Sequence, residues 1–257
     1  MNWKATYNCS PGVFHQKKGI SCQDYANYHL LESRVIIGAV ADGAGTARYA
    51  DTGAKLAVDT ILNYLQQFHE QFLPTSVQSP KTVAEERFSH ALTQEVIPAL
   101  QQAAQQRNCS LQELACTLIA FVATPNWIAA MQVGDGFLVI RLNDGEYQLL
   151  LQPDKGEFVN ETTFITTQQA SAALNVKILQ GNMQFICAST DGLETVALRL
   201  SDWTPHPPFF KPLEAYLEQT DNPDKDKEYL EKFLNSERLN SRTDDDKTLL
   251  LCLYDAV

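Results

Sequence analysis

The sequence predicts an α+β fold in which antiparallel β-sheets form a sandwich with helices on its outside, and three observations predict it. Residues 35–41 are apolar throughout, which is typical of a strand buried on both faces. From Thr117 to Leu151, short apolar segments alternate with tight turns, and strands joined in this way are antiparallel. In residues 51–72 and again in 83–106, apolar residues recur at intervals of three and four, which indicates amphipathic helices. Strands before, between and after helices suit a layered sandwich.

The segment from Thr117 to Leu151 is predicted to be a meander of four strands. Its last turn, Asn143-Asp144-Gly145, is a strong hairpin signal because Asp-Gly pairs adopt the backbone angles of a two-residue turn. In the helical segment before it, Pro98 predicts a kink. The four predicted strands are Thr117–Ala123, Trp127–Val133, Phe137–Leu142 and Glu146–Leu151.

The last third of the chain continues the alternation. Phe185–Ser189 and Thr248–Tyr254 are predicted strands, and the second is strongly apolar. The proline-rich segment Trp203–Pro212 is predicted to be a loop. Lys225–Asn235 has the spacing of an amphipathic helix, and its predicted inward residues are Tyr229, Leu230, Phe233 and Leu234.

Composition restricts the class of protein. A chain of 257 residues, 44% hydrophobic and 20% charged, is long enough to bury a large core, so we expect one domain over residues 1–257. Its 31 acidic and 20 basic residues give a formal net charge of −11. Such a charge disfavours nucleic acid and anionic membrane surfaces as partners, since long-range electrostatic forces would oppose their binding.

The sequence also predicts a cytoplasmic protein. No apolar segment resembles a signal peptide or reaches the roughly 20 residues of a membrane helix. The six cysteines are scattered, with no Cys-x-x-Cys pair and no histidine at zinc-ligand spacing, so we expect reduced thiols rather than disulfides.

Acidic residues stand where predicted strands end or begin. Asp42, Asp135 and Asp191 each follow a strand and precede a glycine, and Asp244–Asp246 directly precedes the last strand. If antiparallel neighbours bring these ends to one edge, several carboxylates meet, and they could not all stay ionised without a cation between them. Oxygen ligands without His or Cys favour Mg²⁺ or Mn²⁺, or alternatively Ca²⁺, over zinc. The alternative for each site is ordinary Asp-Gly turn chemistry, and for the triplet a solvated acidic run.

Five motifs in order along the chain resemble those of the type 2C metal-dependent serine/threonine protein phosphatases, in the form of a bacterial catalytic domain. They extend from about Gly12 to Tyr254. The fold that this resemblance implies is a four-layer α-β-β-α sandwich, with two central antiparallel sheets flanked by helices and a metal site at one end. The motifs are Cys22-Gln23-Asp24, Ala41-Asp42-Gly43-Ala44-Gly45, Val133-Gly134-Asp135-Gly136, Ser189-Thr190-Asp191-Gly192-Leu193 and Asp244-Asp245-Asp246-Lys247-Thr248.

The resemblance implies roles for individual residues. Asp42 takes the place of the carboxylate that bridges two metal ions, and the backbone carbonyl of Gly43 would bind one of them. Asp191 and Asp245 correspond to the other ligands of the first metal. Asp24 resembles the acid that supports the second metal through water.

Two further positions complete the ligand set that the resemblance implies. Asp135 matches the residue that, with Asp191, binds a third and weaker metal in many bacterial members. Asp246 stands where the family commonly has an asparagine, and Asp244 lies just outside the pattern. The implied cofactors are therefore two or three Mn²⁺ or Mg²⁺ ions.

The chain departs from the family pattern in two places. Many members have an arginine upstream of the first Asp motif that clamps the phosphate, whereas this chain has His15-Gln16-Lys17-Lys18-Gly19 there, with no arginine before Arg34. The histidine often found after Asp-Gly is Ala44 here, which removes a candidate general acid. His15 is a candidate replacement for it, the alternative being an ordinary surface histidine.

The implied activity is hydrolysis of phosphoserine and phosphothreonine in proteins. A water that bridges two metal ions is deprotonated near neutral pH and attacks phosphorus in line. The expected catalytic residues are Asp42, Asp191 and His15, and the expected partner is a phosphoprotein on which a serine/threonine kinase acts, with the phosphatase a monomer. The alternatives are a catalytically weak member that binds phosphoproteins through the same acidic site, and a structural Ca²⁺-binding sandwich.

Overall fold

Two five-stranded antiparallel β-sheets lie face to face at the centre of the protein. The structure is a computed structural model that describes residues 2–72, 80–143, 145–154, 162–223 and 227–255. The strands are β1 (Asn2–Ser10), β2 (Tyr25–Leu31), β3 (Val35–Ala41), β4 (Leu118–Thr124), β5 (Trp127–Val133), β6 (Phe137–Leu142), β7 (Tyr147–Leu151), β8 (Asn175–Gln180), β9 (Met183–Ser189), β10 (Leu198–Arg199), β11 (Thr204–Pro205) and β12 (Lys247–Asp255).

The strand order separates the chain into two sheets that share one core. The first sheet has the order β1-β12-β9-β6-β7 and the second β2-β3-β4-β5-β8, while β10 and β11 form a small ribbon. Between the sheets lies an apolar layer to which the first sheet contributes Ile186 and Leu250 and the second Ile36 and Phe121. Burial of these side chains from water drives the two sheets together.

Helices cover the outer face of each sheet. The helices of the described residues are α1 (Val13–Lys18), α2 (Ala50–Phe68), α3 (Pro80–His90), α4 (Ile97–Gln106), α5 (Glu194–Ala197), α6 (Pro207–Gln219), α7 (Glu228–Leu234) and α8 (Glu237–Asn240), and α1 covers neither sheet. Helices α2, α3 and α4 pack on the second sheet through residues such as Ile61 and Phe88. Helices α6 to α8 pack on the first sheet through residues such as Phe210 and Leu230. This arrangement confirms the four-layer α-β-β-α sandwich.

The buried strand and the two long helices were predicted closely. Strand β3 has the predicted bounds, and all seven of its residues are buried. The segment 83–106 is helical and includes a π-helical turn, Ala91–Val96, that joins α3 to α4. Pro98 lies in the first turn of α4, directly after that π-helical turn, where its missing N–H is tolerated.

The prediction of one continuous meander from Thr117 to Leu151 is wrong at its centre. Strands β4 and β5 belong to the second sheet, whereas β6 and β7 belong to the first, so the chain changes sheet at Gly134-Asp135-Gly136. Gly134 has a φ of 105°, which favours glycine. The Gln132 amide donates hydrogen bonds to the carbonyls of Gly134 (3.0 Å) and Gly136 (2.7 Å) and fixes this crossing. The predicted pairing of β6 with β7 is observed, although Asp144 in their turn lies outside the described residues.

The prediction of a loop over Trp203–Pro212 is also wrong, because α6 begins at Pro207. Prolines at the first two positions of a helix lose no hydrogen bond, since the N–H groups there have no partner within the helix. Pro212 does interrupt one bond, and burial of Phe209 and Phe210 against the first sheet compensates for it.

Helix α7 is shorter than predicted. It begins at Glu228, and Lys225 lies outside the described residues. Leu230 and Leu234 face the core as predicted, whereas Tyr229 is exposed and stacks on Tyr216 with ring centroids 4.2 Å apart.

Three strands that the sequence did not predict lie at sheet edges. Strands β1, β2 and β8 each pair on one side only. Their residues are mixed and mostly half-buried, so they lack the apolar run that identified β3. Strand β7 is also an edge strand, but the Asn143-Asp144-Gly145 turn signal before it allowed it to be predicted from the sequence.

All six cysteines are free. Burial raises the pKa of the Cys9 thiol to about 12, and it likewise raises the pKa of Cys116 and Cys187, so these groups remain unreactive thiols. Within the described ranges, no helix combines the length and the apolar character needed to cross a membrane.

A glycine within α2 provides a test of the packing between this helix and the loop before β4. A Cβ at Gly53 would collide with the backbone carbonyl of Leu114. Helix propensity alone predicts that Gly53→Ala stabilises the protein by about 1 kcal/mol. We expect the steric collision to outweigh this gain in helix propensity. Gly53→Ala should therefore lower the free energy of unfolding by about 2 kcal/mol and the Tm by roughly 4–8 °C.

Gly45→Ala is the matched control, because nothing lies within 4 Å of the position that a Cβ would take there and the φ of Gly45 is not in the left-handed region. Thermal and urea unfolding measure both variants. A Gly53→Ala protein that is as stable as Gly45→Ala would contradict this account of the contact.

Candidate metal centre

The strand registers bring the predicted acidic residues to one end of the sandwich. In the second sheet Tyr25 pairs with Ala41, so Asp24 and Asp42 are adjacent at the ends of β2 and β3. In the first sheet Ser189 pairs with both Phe137 and Leu249, which sets the end of β9 beside the starts of β6 and β12. The residues that lie just beyond these strand ends are Asp24, Asp42, Asp135, Asp191 and Asp245.

Asp42 is held through its backbone. Its N–H donates to the Thr117 hydroxyl (3.0 Å), and its carbonyl accepts from the Thr117 N–H (2.8 Å). The next residue, Gly43, forms an antiparallel bridge with Cys116. A Cβ on Gly43 would lie 2.7 Å from the carbonyl oxygens of Gln23 and Ala50, so the loop before β2 and the start of α2 approach this site closely only because the residue is glycine.

Asp24 is a buried carboxylate with one oxygen held and one free. The Thr190 hydroxyl donates to Oδ2 (2.7 Å), whereas Oδ1 is buried without a partner in hydrogen-bond geometry. Burial, and next the charge of Asp246, raise the pKa of Asp24 to about 8, against the effects of the Thr190 and Thr248 hydroxyls. A buried acceptor without a donor is unfavourable, and a cation would satisfy it.

Electrostatics place Asp42 at the centre of the acidic group. Desolvation raises the pKa of its carboxyl well above the usual range, although part of the residue reaches solvent. The charges of Asp24, Asp191, Asp245 and Asp135, in that order of effect, raise it further. The four other acidic residues predicted as ligands thus all affect the pKa of Asp42.

Asp135 lies in the crossing between the two sheets. Its residue is 5% exposed, and the Thr162 hydroxyl donates to its Oδ2 (2.6 Å). A Cβ on the preceding Gly134 would lie 2.5 Å from the Thr117 side chain, so this turn is also closely packed on the strand that holds Asp42.

The loops that carry Asp191 and Asp245 lie against each other. Asp191 begins a 3₁₀ turn after β9, and the next residue, Gly192, lies so near the carbonyl of Asp246 that any Cβ would collide with it. Asp245 lies at the exposed rim, and its Oδ1 accepts a hydrogen bond from the Asp246 N–H (2.8 Å). Partial desolvation raises the pKa of Asp245.

Asp246 is fully engaged in holding the N-terminal segment. Its Oδ1 accepts from the Gly12 N–H (2.7 Å) and lies 2.8 Å from Nδ1 of His15, and its Oδ2 accepts from the Gln23 N–H (2.6 Å). Both oxygens are therefore in use. Of the three aspartates in the triplet, Asp246 is the structural one, and it places His15 at the rim beside Asp245.

The donor set suits a hard divalent cation. It consists of carboxylate oxygens, and it includes the free and buried Oδ1 of Asp24. As the side chains stand, no three His, Cys, Asp or Glu residues in the described ranges form a group that could hold a metal ion. The strand registers nevertheless bring the backbones that carry these carboxylates to the same end of the sandwich.

A family comparison agrees with this geometry. The model of the protein phosphatase 2C family matches residues 11–235. The chain belongs to the protein phosphatase 2C family. This membership confirms the resemblance, and with it the prediction that the protein is a phosphatase. The matched range includes His15, Asp24, Asp42, Asp135 and Asp191.

Individual relatives of this protein phosphatase 2C chain cover its whole length. It is 32% identical over 260 residues to serine/threonine-protein phosphatase 3 of Escherichia coli (strain K12), with 99% of each chain covered. Its fold is similar to that of the serine/threonine phosphatase Stp1 from Staphylococcus aureus, with a TM-score of 0.64, 12% identity and coverage of 100% and 96%. It is also similar to RsbX, crystallised in complex with magnesium, with a TM-score of 0.52, 12% identity and coverage of 98% and 96%.

Sequence reasoning missed several residues that shape this phosphatase site. Thr190 belongs to a recognised motif, but nothing in a single sequence shows that its hydroxyl reaches Asp24. Thr117 and Thr162 lie outside the motifs, and no local pattern identifies them. Lys247 is fully buried beneath the acidic group, where its Nζ donates to Asn240 (2.9 Å). Desolvation lowers its pKa while the charge of Asp246 opposes that change.

The raised pKa of Asp24 predicts how the metal-free protein responds to pH. An unfolded aspartate has a pKa of about 3.9, so between about pH 4 and pH 8 the folded state binds the extra proton. The stabilisation from this group is complete below the lower value and is lost as the pH rises towards 8. With chelator present, we expect the Tm to fall across this range, and we expect Asp24→Asn to reduce that fall and to raise the Tm at pH 8.

Asp59→Asn is the control, because Asp59 lies at the surface of α2, paired with Lys55 (3.0 Å). It should keep the wild-type pH dependence. A Tm profile for Asp24→Asn that is parallel to wild type from pH 5 to pH 8 would contradict the electrostatic account.

Proposed function

We propose that this protein is a metal-dependent phosphatase that hydrolyses phosphoserine and phosphothreonine in proteins. The observation that carries the proposal is the strand register that brings Asp24, Asp42, Asp135, Asp191 and Asp245 to one end of the sandwich. The family membership and the relative from Escherichia coli, whose name gives the same substrate residues, support it.

The proposed ligands follow from the residues that surround Asp42. Asp42 would be shared by two ions, with Gly43 contributing its carbonyl and Asp191 and Asp245 completing the first position. Asp24 would serve the second ion through its free oxygen. Mg²⁺ or Mn²⁺ suits these donors, and RsbX provides a magnesium-containing precedent for the fold. When bound, such ions activate water for attack and neutralise the phosphoryl oxygens.

A third ion, where it is present, would use Asp135 together with Asp191. The Thr162 hydroxyl already occupies Oδ2 of Asp135. A third ion would therefore share this carboxylate with a protein donor. With only Asp135 and Asp191 as protein ligands, this site would be weaker than the one around Asp42.

His15 is the proposed proton donor to the leaving oxygen of the substrate. Asp246 accepts a hydrogen bond from Nδ1, which fixes the ring and leaves Nε2 as the nitrogen that can face a substrate at the rim. Serine and threonine alkoxides are poor leaving groups, so protonation of the departing oxygen matters for them. In this chain Ala44 has no side-chain group that could donate a proton instead.

The proposed setting is the cytoplasm, where the single catalytic domain would act as a monomer opposite a serine/threonine kinase. Six free cysteines support a reducing compartment. The formal charge of −11 keeps the molecules apart and makes nucleic acid an unsuitable partner.

Loss of either central ligand should abolish activity. Hydrolysis of p-nitrophenyl phosphate should appear with Mn²⁺ and disappear with chelator. We expect Asp42→Asn and Asp191→Asn each to lower kcat/KM by at least about a thousandfold, because a neutral amide neither balances nor positions the ions as a carboxylate does. The surface variant Asp59→Asn should retain wild-type activity.

Mn²⁺ should also raise the Tm of the wild-type protein, by an amount that depends on its concentration relative to its Kd. Activity that survives both substitutions would overturn the proposed function. A folded protein that binds Mn²⁺ without turnover would instead favour the alternative of a phosphoprotein-binding member of the family.

The role of His15 can be tested by comparing substrates whose leaving groups differ in their need for a proton. We expect His15→Asn to lower kcat/KM for a phosphothreonine peptide by about a hundredfold, whereas hydrolysis of p-nitrophenyl phosphate changes less than about tenfold, since p-nitrophenolate leaves without a proton. Asparagine retains a donor near the position of Nδ1, so the contact with Asp246 can persist. Equal losses on both substrates would show that His15 has only a structural role.

A further inference from the structure

The segment of residues 13–21, here termed the N-terminal arm, presents an unusual surface. Its helix α1 has no buried residue, and every residue from Gln16 to Ser21 is exposed. It also carries two large apolar side chains that face solvent, Phe14 at 51% exposure and Ile20 at 39%. Two large exposed apolar side chains on one short segment are a feature that interaction sites share.

The arm is exposed but firmly anchored at its base. The Phe14 N–H donates to the carbonyl of Asp244 (3.1 Å), and His15 bonds to Asp246. Its end is fixed by the Ile20 N–H, which donates to the His15 carbonyl (3.0 Å), and by Gly19, which has a left-handed φ of 66°. The outward face of the arm therefore has a defined shape before any partner binds.

This anchoring places the arm at the rim of the proposed catalytic site. Phe14 and His15 line a surface depression together with Asp244 and Asp245. Because Asp245 is a proposed metal ligand and His15 the proposed proton donor, a substrate segment that reaches them passes beside Phe14.

The charge of the arm is opposite to that of the protein as a whole. Lys17 and Lys18 are exposed, and in the described part of the chain neither forms an ion pair. The Lys18 ammonium group instead lies 3.9 Å from the centroid of the Phe14 ring. On a chain with a net charge of −11, two exposed lysines, of which Lys18 lies against an aromatic ring, offer a local site for an anionic ligand with an apolar part.

We propose that the N-terminal arm is the docking surface for the substrate segment that flanks the phosphorylated residue, and that it selects phosphoproteins with acidic residues and a large apolar residue there. This inference rests on the proposed function. Charge complementarity to Lys17 and Lys18 supports an acidic segment as the occupant. A second copy of this chain is a poor occupant, because it would bring another net charge of −11 to the surface.

The test compares phosphothreonine peptides of equal length with acidic or basic flanking residues, assayed with Mn²⁺ alongside p-nitrophenyl phosphate. The wild-type enzyme should prefer the acidic peptide. The double variant Lys17→Glu/Lys18→Glu should lower kcat/KM for that peptide by about five- to twentyfold, mainly through KM, and should leave p-nitrophenyl phosphate hydrolysis unchanged. The preference should weaken as salt increases.

Two further variants complete the design. Phe14→Ala should reduce kcat/KM for peptides with a large apolar flanking residue more than for peptides with alanine there. Lys211→Glu, an exposed charge reversal on α6, is the matched control and should retain the wild-type preference.

The outcomes separate the two proposals. If p-nitrophenyl phosphate is hydrolysed normally but the double variant and wild type discriminate between the peptides equally, the arm is not a docking surface and the proposed function stands. If the double variant dimerises less than wild type and its peptide kinetics are unchanged, the surface serves a second copy of the chain, which also overturns the inference. Absence of any Mn²⁺-dependent hydrolysis would overturn the proposed function and this inference with it.

Discussion

The repulsion among carboxylates gathered at one end of the sandwich is the constraint on which the rest of this structure depends. Four other aspartates act on Asp42, and the burial of Asp24 and Asp135 reduces the screening of their charges by water. Such an arrangement is unfavourable by itself, so the fold must supply the free energy elsewhere. Three apolar layers do so, one between the sheets and one on each outer face, and none of them includes an acidic residue of the site.

Individual polar groups of the chain then orient several of these carboxylates. The Thr190 hydroxyl donates a hydrogen bond to one oxygen of Asp24, and the Thr162 hydroxyl donates to one oxygen of Asp135. The Asp246 N–H donates to one oxygen of Asp245. Beneath them the buried Lys247 provides positive charge that no solvent-exposed residue could supply at that depth. The chain itself thus neutralises part of the negative charge and orients part of the acidic group. Divalent cations would neutralise the rest of the charge.

Much of the fold and of the candidate site could be predicted from the sequence. Each feature that could not be predicted has a physical reason for not being visible in the sequence. The apolar run of β3 and the Asp-Gly pairs are local signals, so the strand and most of the proposed ligands could be predicted directly. The edge strands β1, β2 and β8 are half-polar, and the sheet change at Gly134-Asp135-Gly136 depends on the amide of Gln132. Convergence itself depends on strand register, which a spacing along the chain does not contain. The prolines of α6 were misleading because their position in the first turn, rather than their number, decides their effect.

The Asp244–Asp246 triplet joins the two functions proposed for this end of the molecule. The triplet lies directly before β12, and its neighbouring residues serve two different surfaces. Asp245 faces the acidic group, while Asp246 holds Gly12, His15 and Gln23. The same backbone therefore fixes a proposed metal ligand and the base of the N-terminal arm. A substrate segment held by the arm and a phosphate held by the cations would be positioned by one rigid element, which reduces the loss of freedom needed to bring them together.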